Sequence, residues 1–78
     1  MTQLRLNFYG QFSETYQEHR TLEVSMPLNV SDLKAILESE FDLLKTIQYR
    51  LAQNDSFKSD SDAVDHTPID VFPPFSGG

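Results

Sequence analysis

The apolar pattern of this chain changes period at Pro27, and that change limits the folds open to it more than any other feature. Before it, Leu4-Arg5-Leu6-Asn7-Phe8 and Leu22-Glu23-Val24-Ser25-Met26 alternate apolar and polar residues, so each reads as a strand with one buried face. After it, Val30, Leu33, Ile36 and Leu37 recur at helical spacing, and Phe41 and Leu44 can extend the stripe. The polar stretch between the strands, from Gly10 to His19, reads as a connecting loop of about ten residues, longer than a tight hairpin turn.

The helix start is marked by Asn29, a good N-cap, with Asp32 three positions on to return a hydrogen bond and favour the positive end of the helix. A helix from about Val30 to Glu40 is expected. A third strand fits between Ile47 and Asn54, where Tyr49, Leu51 and Gln53 alternate with Arg50, Ala52 and Asn54, although Gln53 weakens the apolar face. Ile69-Asp70-Val71-Phe72, entered through Pro68 and left through Pro73-Pro74, reads as the last strand. Two strands, a helix and two more strands is the order of an α+β, β-grasp (ubiquitin-like) domain, with one main helix across a mixed sheet and the last strand parallel to the first. The expected organisation is a domain over residues 1–72 and an extended tail over residues 73–78.

Composition narrows the chemistry. The 78 residues suit one domain, and 38% hydrophobic content, with six Phe and three Tyr, supplies one core. Six Lys and Arg against twelve Asp and Glu give a formal charge of −6, so no basic field is expected to follow a phosphate backbone or an anionic membrane. The absence of cysteine excludes a disulfide framework, a thiolate metal site and a cysteine nucleophile. No apolar run reaches the ~20 residues of a membrane span and no signal peptide is recognisable, so a cytoplasmic protein is expected. Five acids fall between Asp55 and Asp70. The Ser- and Asp-rich segment from Asp55 to Asp65 reads as a solvated loop, because it lacks the glycine and the terminal glutamate of a calcium-binding loop. His19 and His66 lie in polar segments with no second ligand at useful spacing, so no metal site is expected.

The final residues, Phe72-Pro73-Pro74-Phe75-Ser76-Gly77-Gly78, carry the most information. Pro73 and Pro74 have no N–H and hold their neighbours extended, so they end the sheet and send the tail outward. From Phe72 onward the tail reaches at most ~23 Å, comparable to the depth of a channel in a partner. Ser76 and Gly77 permit passage through a narrow channel, and Gly77 and Gly78 have no Cβ to obstruct it. The carboxylate expected at Gly78, with a pKa near ~3.5, is ionised at neutral pH and needs activation before it can act as an acyl donor. Transfer to AMP would activate it, and a sulfur nucleophile could then displace AMP to leave a thiocarboxylate.

With these residues in view, the sequence resembles the small, sulfur-carrying subunit of molybdopterin synthase, a relative of ubiquitin and of the thiamine-pathway sulfur carrier. The resemblance runs through Leu4-Arg5-Leu6-Asn7-Phe8-Tyr9-Gly10, Thr21-Leu22-Glu23-Val24, Val30-Ser31-Asp32-Leu33, Tyr49-Arg50-Leu51-Ala52 and, above all, the tail. It departs from the family pattern at Asp65-His66-Thr67-Pro68, where a Gly-Asp turn is usual, and at Gln53-Asn54, where Val-Asn is usual.

The resemblance implies a protein cosubstrate, with catalytic side chains on its partners and no tightly bound cofactor. Gly78 would be adenylated with ATP by a ubiquitin-activating-like adenylyltransferase and thiocarboxylated by way of a sulfur donor protein. The tail would then enter the molybdopterin synthase large subunit, in a heterotetramer, and give sulfur to the pterin precursor of the molybdenum cofactor. The alternatives are a sulfur carrier for thiazole, cysteine or tungsten-cofactor synthesis, and a ubiquitin-like protein modifier. Phe72, Pro73, Pro74 and Phe75 are the candidate partner-binding residues, joined by Tyr9 and Phe12 as candidates for one apolar patch, while Val71 reads as core.

Overall fold

A computed structural model describes residues 1–74. The strand β1 (Thr2–Phe8) leads through a short helix α1 (Gln11–Tyr16) to β2 (His19–Val24). Two helices follow, α2 (Val30–Glu40) and α3 (Leu43–Thr46), and then β3 (Arg50–Gln53), the two-residue β4 (Ser56–Phe57) and β5 (Ile69–Phe72). The strands form one mixed sheet in the order β2-β1-β5-β3-β4. β5 lies at its centre, parallel to β1 and antiparallel to β3. The expected α+β architecture, with the last strand parallel to the first, is the one observed.

Period-two alternation turns Leu4, Leu6 and Phe8 of β1 inward beside Ile69 and Val71 of β5, and Leu33 and Leu37 of α2 complete the centre of the core. Full burial of each such side chain contributes ~1.5–3 kcal/mol. Among the described residues, α1, α2 and α3 all bury their apolar side chains in this one core, which leaves the opposite face of the sheet without a helix. The α2 capping box forms as its sequence predicts: Asn29 Oδ1 accepts from the Asp32 N–H at 2.8 Å, and the Asn29 N–H donates to Asp32 Oδ2 at 3.3 Å. The helix ends at Phe41, whose extended backbone (φ −127°, ψ 98°) turns the ring into the core beside Phe8, 5.1 Å away.

Several segments differ from the sequence expectation, each for a local reason. The polar stretch after Gly10 contains α1, because Phe12 and Tyr16, four residues apart, share one helical face and pack on the core. Six residues are too few to reveal that periodicity in a run that is otherwise polar. The Tyr16 hydroxyl then accepts the Leu43 N–H at 2.9 Å, tying α1 to the start of α3. The third strand is shorter than expected: Ile47, Gln48 and Tyr49 form the connection out of α3, so sheet pairing begins only at Arg50, and Asn54, with a positive φ, turns the chain out of the strand.

The acidic run is also less of a free loop than expected. It opens with β4, and further along the Val30 and Ser31 amides donate to the Asp62 and Asp60 carbonyls at 2.9 and 3.0 Å. The Val64 amide donates to the Leu28 carbonyl at 3.0 Å, with the Val64 side chain in the core. Gln53 accounts for the rest. It is 2% exposed, and its amide donates to the Ala63 carbonyl at 2.7 Å while its oxygen accepts the Asp65 and His66 amides at 3.3 and 3.2 Å. The residue that weakens the apolar pattern of β3 therefore pins the backbone of the acidic segment.

Candidate functional site

The site is built at the end of β5, where the sheet stops and the tail begins. Val71 is the last inward residue of the strand, and its carbonyl accepts the Tyr9 N–H at 3.2 Å. Phe72 faces the other way, onto the open face of the sheet. There the Tyr9 ring stacks on it, 4.6 Å away and 10° from parallel, and the Phe57 ring meets it edge-on at 5.6 Å. Arg50 is the cross-strand partner of Phe72, and its guanidinium lies 3.9 Å from the centre of the Phe57 ring. Tyr9 is 40% exposed and Phe57 45%. These four side chains make an aromatic patch on the open face, with a cation at one edge.

A polar chain supports the patch. The Tyr9 hydroxyl and the Asn7 amide both donate to Asp70 Oδ1, at 3.3 and 3.2 Å, and Asn7 Oδ1 lies 2.8 Å from His19 Nδ1. Partial burial, and after it the Asp70 carboxylate, push the Tyr9 phenol above its ordinary value. On the other side of the tail root, Pro74 borders an open groove of about 700 Å³ lined also by Lys34, Lys45, Ile47, Tyr49 and Arg50. Three of the chain's six basic residues meet there.

Of the residues singled out from sequence, Tyr9, Phe72, Pro73 and Pro74 come together at this site. Phe12 does not. It is 0% exposed and sits in the core against Phe8, with ring centres 6.5 Å apart, because α1 turns it away from the surface that Tyr9 occupies. Phe75, Ser76, Gly77 and Gly78 lie outside the described residues. Sequence reasoning missed Arg50, Phe57 and Gly10. A lone aromatic within the acidic run was the available signal for Phe57. For Gly10 it was a glycine directly after the alternating strand. Among the described residues no group of three His, Asp or Glu is placed to hold a metal ion, and no helix is long and apolar enough to cross a membrane.

No protein-family model matches the sequence, and no curated protein matches it significantly. Solved structures do match. A Pyrococcus furiosus protein assigned as molybdopterin converting factor, subunit 1, superposes with a TM-score of 0.82 at 16% identity, over 96% of this chain and 100% of that one. SAMP1 from Haloferax volcanii gives 0.78 at 16% identity, over 99% and 100%. The HVO 2177 protein of Haloferax volcanii gives 0.78 at 25% identity, over 99% and 87%. Near-complete coverage at such low identity is a likeness of fold, and by it this chain is a ubiquitin-like β-grasp protein whose structural neighbours include a molybdopterin converting factor subunit and SAMP1.

Proposed function

We propose that this chain is a sulfur carrier that serves as the small subunit of molybdopterin synthase. The observation that carries the reading is the tail root. The central strand of a ubiquitin-like sheet ends at an exposed aromatic patch and passes through Pro73-Pro74 toward Phe75-Ser76-Gly77-Gly78. The neighbour assigned as molybdopterin converting factor, subunit 1, supports the choice of pathway.

In this reading the Gly78 carboxylate attacks the α-phosphorus of ATP on the activating enzyme, forming an acyl-adenylate and releasing pyrophosphate. A persulfide sulfur from the donor protein then attacks the acyl carbon and AMP leaves. Reduction of the resulting acyl disulfide by a thiol yields the thiocarboxylate. The domain's own part is recognition: Tyr9, Phe57 and Phe72 offer apolar area to the partner that receives the tail, and Arg50 offers it a cation.

Incubation with an activating enzyme, ATP and a sulfur donor should raise the intact mass by the difference between sulfur and oxygen, and loss of Gly78 should abolish that change. An unchanged mass with an enzyme active on its own carrier would overturn the reading. The likeness to SAMP1 favours a second reading, a small protein modifier joined to lysines. That reading predicts higher-mass conjugates on a denaturing gel, which the carrier reading does not.

A further inference from the structure

We infer that the corner formed by Tyr9 and Gly10 is a positioning element that sets the direction in which the tail leaves the sheet. The inference rests on the tail being the reacting segment, as proposed above. Three successive residues at the end of β5 and just beyond it are each held by this corner. The Val71 carbonyl accepts the Tyr9 N–H, the Phe72 ring lies flat on the Tyr9 ring, and the Pro73 ring lies against the Cα of Gly10.

Gly10 is required twice over. Its backbone (φ +59°, ψ −136°) lies where L side chains are rarely found, and a Cβ built there would come within 2.8 Å of Pro73 Cγ. The corner cannot simply rotate away. The Gly10 carbonyl accepts both the Ser13 N–H at 3.1 Å and the Ser13 hydroxyl at 2.7 Å, and the Tyr9 carbonyl accepts the Phe12 N–H at 3.2 Å. Phe12 itself is locked in the core. The buried anchor of α1 thus fixes Gly10, and Gly10 fixes the side on which Pro73 passes. Pro73 in turn transmits the direction, since its φ is set by its ring.

The test separates aim from folding. Gly10→Ala should lower kcat/KM for thiocarboxylation by about tenfold or more, since a misplacement of ~1 Å at a reacting group can cost up to ~100-fold. In a Pro73→Ala background, which removes the colliding Cγ, the same Gly10→Ala change should cost much less, although the backbone strain at residue 10 is equal in both. An equal loss in both backgrounds would overturn the inference, as would no loss in either.

NMR reads the aim without any partner. The nuclear Overhauser contact between Gly10 Hα and Pro73 Hγ should be present, and Gly10→Ala should shift the Hα–Cα dipolar couplings of residues 72–74 in the wild-type background more than in the Pro73→Ala one. Absence of that contact, or equal shifts in the two backgrounds, would also overturn it. If the wild-type chain is never thiocarboxylated, the sulfur-carrier reading fails, and the NMR results still decide the aim of the tail.

Discussion

Tyr9 closes the path of the first strand and Phe72 closes the last, yet their rings lie 4.6 Å apart and 10° from parallel. The parallel register that sets Phe8 opposite Val71 places the next residue of each strand on the same open face. On the sulfur-carrier reading this pair is the centre of the docking surface. Tyr9→Ala and Phe72→Ala should each weaken binding to a molybdopterin synthase large subunit by ~2 kcal/mol, or about 30-fold, by titration calorimetry. The loss of folding stability should be smaller, on the order of 1 kcal/mol, because neither ring is in the core.

Phe12 should behave in the opposite way. Its ring is fully buried, so Phe12→Ala should cost ~3–5 kcal/mol of stability in urea denaturation. Against a total of ~5–15 kcal/mol for a whole domain, that loss leaves a population of unfolded protein visible by circular dichroism. A loss below about 1 kcal/mol would mean that α1 is not anchored as described.

Gln53→Leu should remove the partners of the Ala63 carbonyl and the Asp65 and His66 amides together. Each buried group left unpaired costs ~1–3 kcal/mol. Hydrogen exchange should accelerate at the Asp65 and His66 amides, and the midpoint of urea denaturation should fall.

Alkaline pH should destabilise the fold. Burial, followed by the hydrogen bond to Glu38 and its charge, pushes the Tyr49 phenol above its ordinary value near 10; its hydroxyl donates to Glu38 Oε2 at 2.7 Å. With the folded value above the unfolded one, the contribution of Tyr49 is fully present below pH ~10 and is lost as pH rises toward the folded value. Tyr9, raised by burial and Asp70, acts in the same direction. Tyr49→Phe should lower stability at neutral pH and flatten the alkaline decline, read from urea midpoints across pH. An unchanged alkaline slope would count against the Tyr49–Glu38 bond.

The elements readable from the sequence are those whose periodicity persists over enough residues. The α2 bounds, its capping box and β5 follow directly from the residues, because eleven helical positions carry a clear stripe and the prolines mark the end of the sheet. α1 was not readable, since two aromatic residues among polar ones suit a loop as well as a helix. Phe12 escapes a sequence reading for the same reason: in a polar loop next to Tyr9 it could share that residue's surface, whereas α1 turns it into the core. Gln53 counts as a flaw in the strand pattern because that pattern registers polarity and cannot see a hydrogen-bonding partner ten residues away. Of the patch, Tyr9 and Phe72 were readable from alternation. Arg50 and Phe57 required the pairing of β3 with β5 and β4.

The central position of β5 has a mechanical consequence. A pull on the tail along its axis loads the ladders to β1 and β3 at the same time, and along the strand direction, so their hydrogen bonds resist in shear and must yield together. Had the last strand lain at an edge of the sheet, the same pull would strain one ladder alone. On the sulfur-carrier reading, an enzyme that holds the tail taut can therefore draw on it without peeling the domain open.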